Sequence, residues 1–270
     1  MGRSWSHIHQ TNGSERSEIQ FLLVLGQSLA DVIVLQSHGY DLWLFERWEY
    51  LRLFYEKLPD RERRIHPGKL IQTLEILSDG VKVTFMDGSE DHGSIVVGAD
   101  GVHSTVRHLL HKAANGAFPN TGFSSSFIGI YGIGPLPDKV PAGRLMEISN
   151  SGFWIHLFTQ PGRVFWILYK ARDKPVYEFK HYSDAERDKF AEQFNDYPIG
   201  NGVTFGEVRK GRWREYLTDF EEGLVPEWYW DRVVLLGDAA HKAVSALISP
   251  TIRLGEYAES VSDAKLSFRC

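Results

Sequence analysis

The sequence predicts an α/β protein in which parts of a parallel sheet flank a mostly antiparallel β region. Two observations predict the parallel part: the apolar runs 94–99 and 233–236 each end in a Gly/Asp turn. Short continuous apolar runs are typical of buried parallel strands. A third observation predicts the antiparallel part, because residues 123–170 alternate or cluster β-forming side chains between Gly and Pro turns. We therefore expect the two apolar runs to enclose a second layer or domain.

The elements before the first Gly/Asp turn follow from local patterns. Residues 48–58 place apolar side chains at helical spacing, so a helix is expected there. The runs 70–77 and 81–85 are joined by Ser-Asp-Gly, which predicts a hairpin. A buried strand should follow at 94–99, and a helix should begin near residue 104.

Later segments complete the expected organisation. Residues 184–194 predict a helix, and the basic segment 204–217 predicts a solvated face at the end of the sheet. Residues 1–18 are polar, and 18–35 are apolar enough for a strand followed by a helix. The predicted units are listed here: a divergent N-terminal segment 1–35, a ligand-binding portion 36–122 with 218–260, a β-rich substrate domain 123–217 and a tail 261–270.

Composition excludes several function classes. The net charge of -5 argues against a nucleic-acid-binding protein. The single cysteine, Cys270, excludes a disulfide framework and a cysteine-based metal site, which fits a reducing compartment. No apolar run approaches the roughly 18 residues of a membrane-spanning helix, and the polar N-terminus lacks a signal peptide's apolar core. We expect a cytoplasmic protein with no metal site.

The first motif is the string VVGADGVHSTVR at 96–107. A strand that runs into a Gly/Asp turn places Asp100 at the carboxyl end of that strand, where open α/β sheets bind ligands. Gly101 can take the positive backbone angle of a sharp turn. Arg107 follows one to two helical turns later and is suited to a phosphate. A lone Asp-Gly pair is common in surface turns, so the specificity lies in the full string.

The second motif is the string DRVVLLGDAAH at 231–241. Gly237 permits close approach of a ligand, and the Asp238 carboxylate can accept a hydrogen bond from a ligand hydroxyl. Ala239 and Ala240 leave space at the start of the next expected helix, whose N-terminus would favour a phosphate. The histidine that follows them is more typical of a structural or capping residue than of a catalyst.

Together, these strings resemble the two internal fingerprints of FAD-dependent monooxygenases of the aromatic-hydroxylase type, most closely the branch of fungal secondary metabolism. Segments 38–60 and 221–232 also resemble that branch. The resemblance implies a partial FAD-binding, Rossmann-like domain interleaved with the antiparallel substrate domain, and it implies FAD and NAD(P)H as cofactors. It assigns cofactor binding to Glu46, Arg47, Asp100, Gly101, Arg107, Gly237, Asp238, Ala239 and Ala240.

Two interpretations of the N-terminal region remain. In the first, 38–60 is a family block whose strand ends in an acidic-Arg-Gln triplet, with Trp48 in place of the Gln, and the βαβ opening is absent. In the second, 24–31 is an altered glycine-rich opening in which Gln27 and Asp31 replace glycines, and Glu46 is the ribose carboxylate. Either interpretation predicts weakened flavin affinity.

The C-terminal region also departs from the family pattern. Pro250 and Gly255 match it, but Arg253 and Tyr257 stand where the resemblance predicts a glycine and an asparagine. These two residue types pack against the flavin ring in the family. The sequence therefore predicts an altered flavin environment here.

The resemblance implies hydroxylation or epoxidation of an apolar secondary metabolite with O2, and NAD(P)H as the flavin reductant. No side chain is assigned to catalysis. Two alternatives are a non-redox small-molecule-binding or cyclase-like remnant and an interaction module paired with an intact homologue; the oligomeric state and any membrane association stay open. Five side chains are candidates for the substrate pocket, although sheet alternation explains them equally well: Trp154, His156, Phe158, Trp166 and Tyr169.

Overall fold

The computed structural model describes residues 20–21, 44–114, 122–150 and 152–242. It is an α/β structure dominated by antiparallel strands, which confirms the predicted fold class. The strands are β1 (Gln20–Phe21), β2 (Ile71–Ile76), β3 (Val81–Phe85), β4 (Glu90–Gly93), β5 (Val96–Gly98), β6 (Ser124–Gly134), β7 (Arg144–Asn150), β8 (Phe153–Gln160), β9 (Arg163–Val176), β10 (Pro198–Gly200), β11 (Val203–Thr204), β12 (Arg214–Leu224), β13 (Tyr229–Trp230), β14 (Val233–Leu235) and β15 (His241–Lys242). The helices are α1 (Arg47–Lys57), α2 (Arg61–Arg64), α3 (Thr105–Ala113), α4 (Asp184–Glu192) and α5 (Phe205–Lys210).

The large sheet contains seven strands in the order β1-β7-β8-β9-β6-β12-β15, and every neighbouring pair is antiparallel. Because side chains alternate across a strand, Ile155 and Leu157 on β8 share one face with Trp166 and Leu168 on β9. All four are fully buried in one hydrophobic core. This face is therefore covered, and we call it the core face.

Helices α4 and α5 contribute the other side of that core. Each begins with a capping box, in which Ser183 or Thr204 caps the helix and a glutamate three residues later bonds back to the cap amide. Phe205 and Val208 on α5 are buried in the same core as the sheet residues. The core face thus packs against two helices whose N-terminal amides are hydrogen-bonded by neighbouring residues in the chain.

The small motif sheet has the order β13-β14-β5, and β14 runs parallel to β5. Helix α3 packs on it through Val106 and Leu110, which are buried with Val233 and Leu235. The close packing of α3 on β5 requires a glycine at position 98, because a Cβ on Gly98 would lie 2.7 Å from the Val106 side chain. The predicted hairpin forms β2 and β3, and β4 extends it to a three-stranded sheet.

The domain boundary predicted between 217 and 218 stays a prediction, and strand β12 continues across it, with pairing to β6 as far as Glu222. Two other expectations need correction. The helix expected after the second motif is wrong at 241–242, because these residues pair with β12 as β15. The segment 204–217 is not simply a solvated face, since it contains α5 and the start of β12.

Other expectations fall outside the described residues. These are the glycine-rich interpretation of 24–31 and the departures from the family pattern at 250–257. Among the residues that are described, no helix is long and apolar enough to cross a membrane.

Candidate functional site

The two sequence motifs meet at one edge of the motif sheet. Val96 lies opposite Val233, Gly98 lies opposite Leu235, and the Leu236 amide donates a 2.9 Å hydrogen bond to the Gly98 carbonyl. Because the strands are parallel, their carboxyl ends lie side by side. The Asp100-Gly101 and Gly237-Asp238 turns therefore leave the sheet at the same edge, where open α/β sheets bind ligands.

Both turns use a glycine in the left-handed region of backbone space. Gly101 has a φ of 84° and Gly237 has a φ of 59°. A side chain at either position would be strained although there is space for a Cβ. These two glycines thus shape the turns through backbone conformation.

Asp100 holds the beginning of helix α3. Its Oδ1 accepts a 2.5 Å hydrogen bond from the Ser104 hydroxyl, and its Oδ2 accepts a 3.1 Å bond from the Val106 amide. Burial by itself raises the pKa of Asp100, but these hydrogen bonds and one from the Thr105 amide outweigh it, so the pKa lies below its ordinary value. An ionised carboxylate can accept further bonds, and it remains an acceptor for a ligand.

Arg107 connects the two motifs. Its guanidinium donates to the Ala239 carbonyl at 2.9 Å and to the Val102 carbonyl at 2.5 Å, and it lies over the Phe123 ring. Burial lowers the pKa of Arg107, and the Asp100 charge opposes that shift. The expected phosphate contact stays a prediction, because at least part of the guanidinium already serves backbone carbonyls.

The residues of the second motif divide by exposure. The Asp238 side chain is 56% exposed and lies 3.8 Å from the Lys242 ammonium, so its carboxylate is available at the sheet edge. Ala239 and Ala240 are fully buried in the core beneath α3. The histidine that follows stacks on Trp228 with ring centroids 5.0 Å apart.

Glu221 is a buried acid near both motifs that the sequence interpretation did not single out. Its Oε1 lies 3.4 Å from His103 Nε2 and its Oε2 lies 3.8 Å from Lys242 Nζ. His103 belongs to the first motif string, and Lys242 directly follows the second. In the sequence, Glu221 is only one residue of an acidic pair that precedes the second motif. Such acidic pairs are ordinary on protein surfaces.

Glu46 and Arg47 lie elsewhere in the described structure. Glu46 caps helix α1 and forms a 2.5 Å ion pair with Arg214, and Arg47 is exposed. Arg214 begins β12, whereas Leu224 at its other end pairs beside the second motif. At about 3.3 Å per residue these two ends are roughly 30 Å apart. The contacts described for Glu46 therefore do not bring it to the two motifs.

The second face of the large sheet is rich in aromatic side chains. Strand register places Trp154 opposite Tyr169, and Tyr131 opposite Tyr216. We call this surface the aromatic face; its ring residues are Phe127, Tyr131, Trp154, His156, Phe158, Phe165, Tyr169, Tyr216 and Phe220. Trp166 is a correction to the predicted pocket, because it points to the core face and its indole donates to Glu215 at 3.0 Å.

The geometry can be compared with known proteins. No protein-family model matches the chain. It is 32% identical over 224 residues to the FAD-dependent monooxygenase spyC of Aspergillus fumigatus, covering 79% of this chain and 47% of that protein. It is also 32% identical over 269 residues to the FAD-dependent monooxygenase dpchE of Colletotrichum higginsianum, covering 93% of this chain and 53% of that protein.

Solved structures show the same fold. Klebsiella pneumoniae HpxO in complex with FAD and uric acid has a TM-score of 0.59 at 19% identity, over 78% of this chain and 52% of that one. A salicylate hydroxylase substrate complex has a TM-score of 0.55 at 18% identity, over 72% of this chain and 50% of that one.

These two structures show that the chain has the fold of flavin-dependent hydroxylases. The chain is a homologue of the fungal FAD-dependent monooxygenases. It spans about half the length of the curated relatives it matches.

Proposed function

We propose that the protein is an FAD-dependent monooxygenase that hydroxylates or epoxidises an apolar secondary metabolite. The observation that carries this proposal is the meeting of two Gly/Asp turns at one edge of a parallel strand pair. This arrangement occurs in a chain homologous to fungal FAD-dependent monooxygenases. NAD(P)H is the proposed reductant and O2 is the proposed oxygen donor.

The residues at this edge fit the hydroxyl-bearing part of FAD. The exposed Asp238 carboxylate can accept a hydrogen bond from a polyol hydroxyl, and the left-handed Gly237 permits close approach of a chain-like ligand. Asp100 offers a second acceptor after its bonds to α3 are satisfied. By the same proposal, Arg107 contributes to cofactor binding mainly by holding the second motif in place.

Bound FAD would supply the activation of O2 and the transfer of one oxygen atom, which no side chain supplies. The residues of this chain would bind the cofactor, orient the substrate and exclude water from the site. The aromatic face is the proposed substrate side, because its rings offer a broad apolar surface. Tyr131 and Tyr216 remain 43% and 51% exposed there, so this part of the face is open to a ligand.

One observation favours a second candidate, an interaction module that pairs with a homologous chain. Val97 and Leu236 at the parallel strands are 49% and 61% exposed, although parallel strands usually have both faces covered. A partner that covers them would complete the motif sheet. This candidate predicts a heteromer rather than flavin turnover.

The deciding experiment is titration of the purified protein with FAD, followed by its visible spectrum and by calorimetry. We expect saturable binding that Asp238→Asn weakens by about 10- to 100-fold, since a hydrogen bond to a charged group contributes about 1.5–3 kcal/mol. Asp91→Asn on the exposed strand β4 is the matched control and should bind like the parent protein.

The alternatives give different results in the same titration. Binding followed by NADPH consumption supports the monooxygenase. A folded protein that does not bind FAD would instead favour the non-redox alternative, a small-molecule-binding or cyclase-like protein. FAD binding that appears only after a homologous chain is added would favour the interaction module.

A further inference from the structure

An acid–histidine pair lies among the rings of the aromatic face. Glu147 on β7 lies directly opposite His156 on β8, and Glu147 Oε1 is 3.8 Å from His156 Nε2. This separation exceeds hydrogen-bonding distance. The two polar groups therefore face each other without a direct bond.

The His156 ring is held neutral by its surroundings. The residue is 3% exposed, its ring meets the Tyr169 ring edge-on at 5.6 Å, and burial lowers the pKa of His156 to about 4. A neutral imidazole has one donor and one acceptor nitrogen, and the nearby carboxylate favours the tautomer with the proton on Nε2. The pair thus presents an N–H donor beside a carboxylate acceptor.

The carboxylate side of the pair is accessible. The Glu147 side chain is 44% exposed, whereas His156 lies deeper in the sheet. A ligand group that enters beside Glu147 would therefore reach the imidazole last. The two groups do not bond to each other, so a ligand group that bonds to both gains binding free energy without breaking a bond between them.

We propose that Glu147 and His156 bind a hydroxyl group of an otherwise apolar, ring-containing substrate. A hydroxyl can donate to the Glu147 carboxylate and accept from the His156 N–H at the same time. A ketone or ether oxygen can only accept, and it would face the carboxylate lone pairs unfavourably. The pair therefore selects an alcohol or phenol over its ketone or methyl ether.

The position of the pair also defines an orientation for the substrate. His156 and Glu147 lie level with Ile167, Tyr131 and Tyr216 across the sheet. Four residues further along β6 and β12, Phe127 lies opposite Phe220, towards the strand ends nearest the motifs. Four residues span roughly 13 Å in a strand. This length suits several fused rings, with the hydroxyl end at the acid–histidine pair.

This inference rests on the proposed function only for the choice of the aromatic face as the substrate side. Its test is therefore equilibrium binding without FAD or NADPH. The probes are 2-naphthol and 2-methoxynaphthalene, which differ in the ability to donate a hydrogen bond. Calorimetry of the full chain should show a preference of at least about tenfold for 2-naphthol.

The variant Glu147→Gln should reduce that preference to about twofold, because its amide can accept from the hydroxyl or donate to the ether oxygen. The variant His156→Leu should weaken the binding of 2-naphthol, because it removes the N–H that donates to the hydroxyl oxygen. The double variant should lose little more than either single variant, since both residues bind one group. Glu75→Gln and His92→Gln change the same residue types on exposed strands of the hairpin sheet and should keep the full preference.

Equal binding of the two probes, no binding of either probe at millimolar concentration, or a preference that survives in Glu147→Gln would each overturn the inference. Glu147→Gln is decisive even if His156→Leu fails to fold, because Glu147 is only half-buried. Loss of FAD binding with intact probe discrimination would refute the monooxygenase and leave the hydroxyl site standing.

Discussion

The large sheet and the motif sheet are stabilised in different ways. The five central strands of the large sheet have 7 to 14 residues, and its core face packs into a hydrophobic core that includes residues of α4 and α5. The motif sheet has strands of two or three residues, with α3 on one side and exposed Val97 and Leu236 at its surface. This difference indicates that the large sheet carries most of the stability of the described fold. The motif sheet depends more on individual contacts and on what binds at its edge.

The largest effect on stability should come from Glu215→Ala, which removes a buried ion pair of the large sheet. The Glu215 carboxylate is completely buried and accepts bonds at 2.7 and 2.6 Å from Arg209 and at 3.0 Å from Trp166. Removing it leaves the Arg209 charge buried without its main partner, so the free energy of unfolding should fall by about 3–5 kcal/mol in urea titrations.

The matched control is Glu75→Ala, which removes an exposed ion pair with Lys82 in the hairpin sheet. Such exposed pairs contribute about 0–1 kcal/mol. If both variants lose similar stability, the view that the large sheet carries most of the stability would be contradicted.

The next effect concerns pH and again the large sheet. Burial lowers the pKa of His156 from 6.5 to about 4, so the unfolded chain binds a proton at a higher pH than the folded chain does. The stabilisation that comes from neutral His156 is therefore fully present above pH 6.5, and it is lost as the pH decreases to about 4. The loss is on the order of 3 kcal/mol.

Urea unfolding at several pH values should show this loss in the parent protein and lack it in His156→Leu. Burial also lowers the pKa of His111 on α3, with the Arg107 charge adding to the shift, but that contribution is common to both proteins and cancels. Identical pH profiles for the two proteins would show that His156 is not held neutral by the sheet.

The smallest effect should be Arg107→Ala, which tests the motif sheet. It removes the guanidinium bonds to the Ala239 and Val102 carbonyls, and bonds to charged groups contribute about 1.5–3 kcal/mol. We expect hydrogen exchange of the amides near Ala240 to accelerate by about 10- to 100-fold while β8 and β9 keep their protection.

The control for this variant is Arg232→Ala, because Arg232 also donates to two carbonyls but through exposed hydrogen bonds. It should change exchange little. Equal acceleration in both sheets after Arg107→Ala would mean that the two regions unfold as one unit.

Local patterns were sufficient for many elements of this fold. The turn at 78–80 and the alternating runs around it predicted β2 and β3, and the apolar runs before the two motifs predicted β5 and β14. Helices α1, α3 and α4 lie where helical spacing or the end of a strand predicted them. These elements follow from interactions between residues close in the chain.

The exceptions involve partners that are distant in the chain. The basic segment 204–217 resembled a solvated face, but Arg209 is buried in an ion pair with Glu215, whose carboxylate also accepts from Trp166 on the distant strand β9. Likewise, residues 241–242 form a strand because the end of β12 is available for pairing. Neither partner can be identified from local spacing.

The sequence by itself determined the α/β class, the two Gly/Asp turns and the resemblance to flavin monooxygenases, since apolar period, glycine position and motif strings are local properties. Only the tertiary structure decided that Arg107 connects the motifs, that Trp166 lies on the core face, and that Glu147 faces His156 across two strands. Strand register and burial set these contacts. Both depend on how segments far apart in the chain pack together.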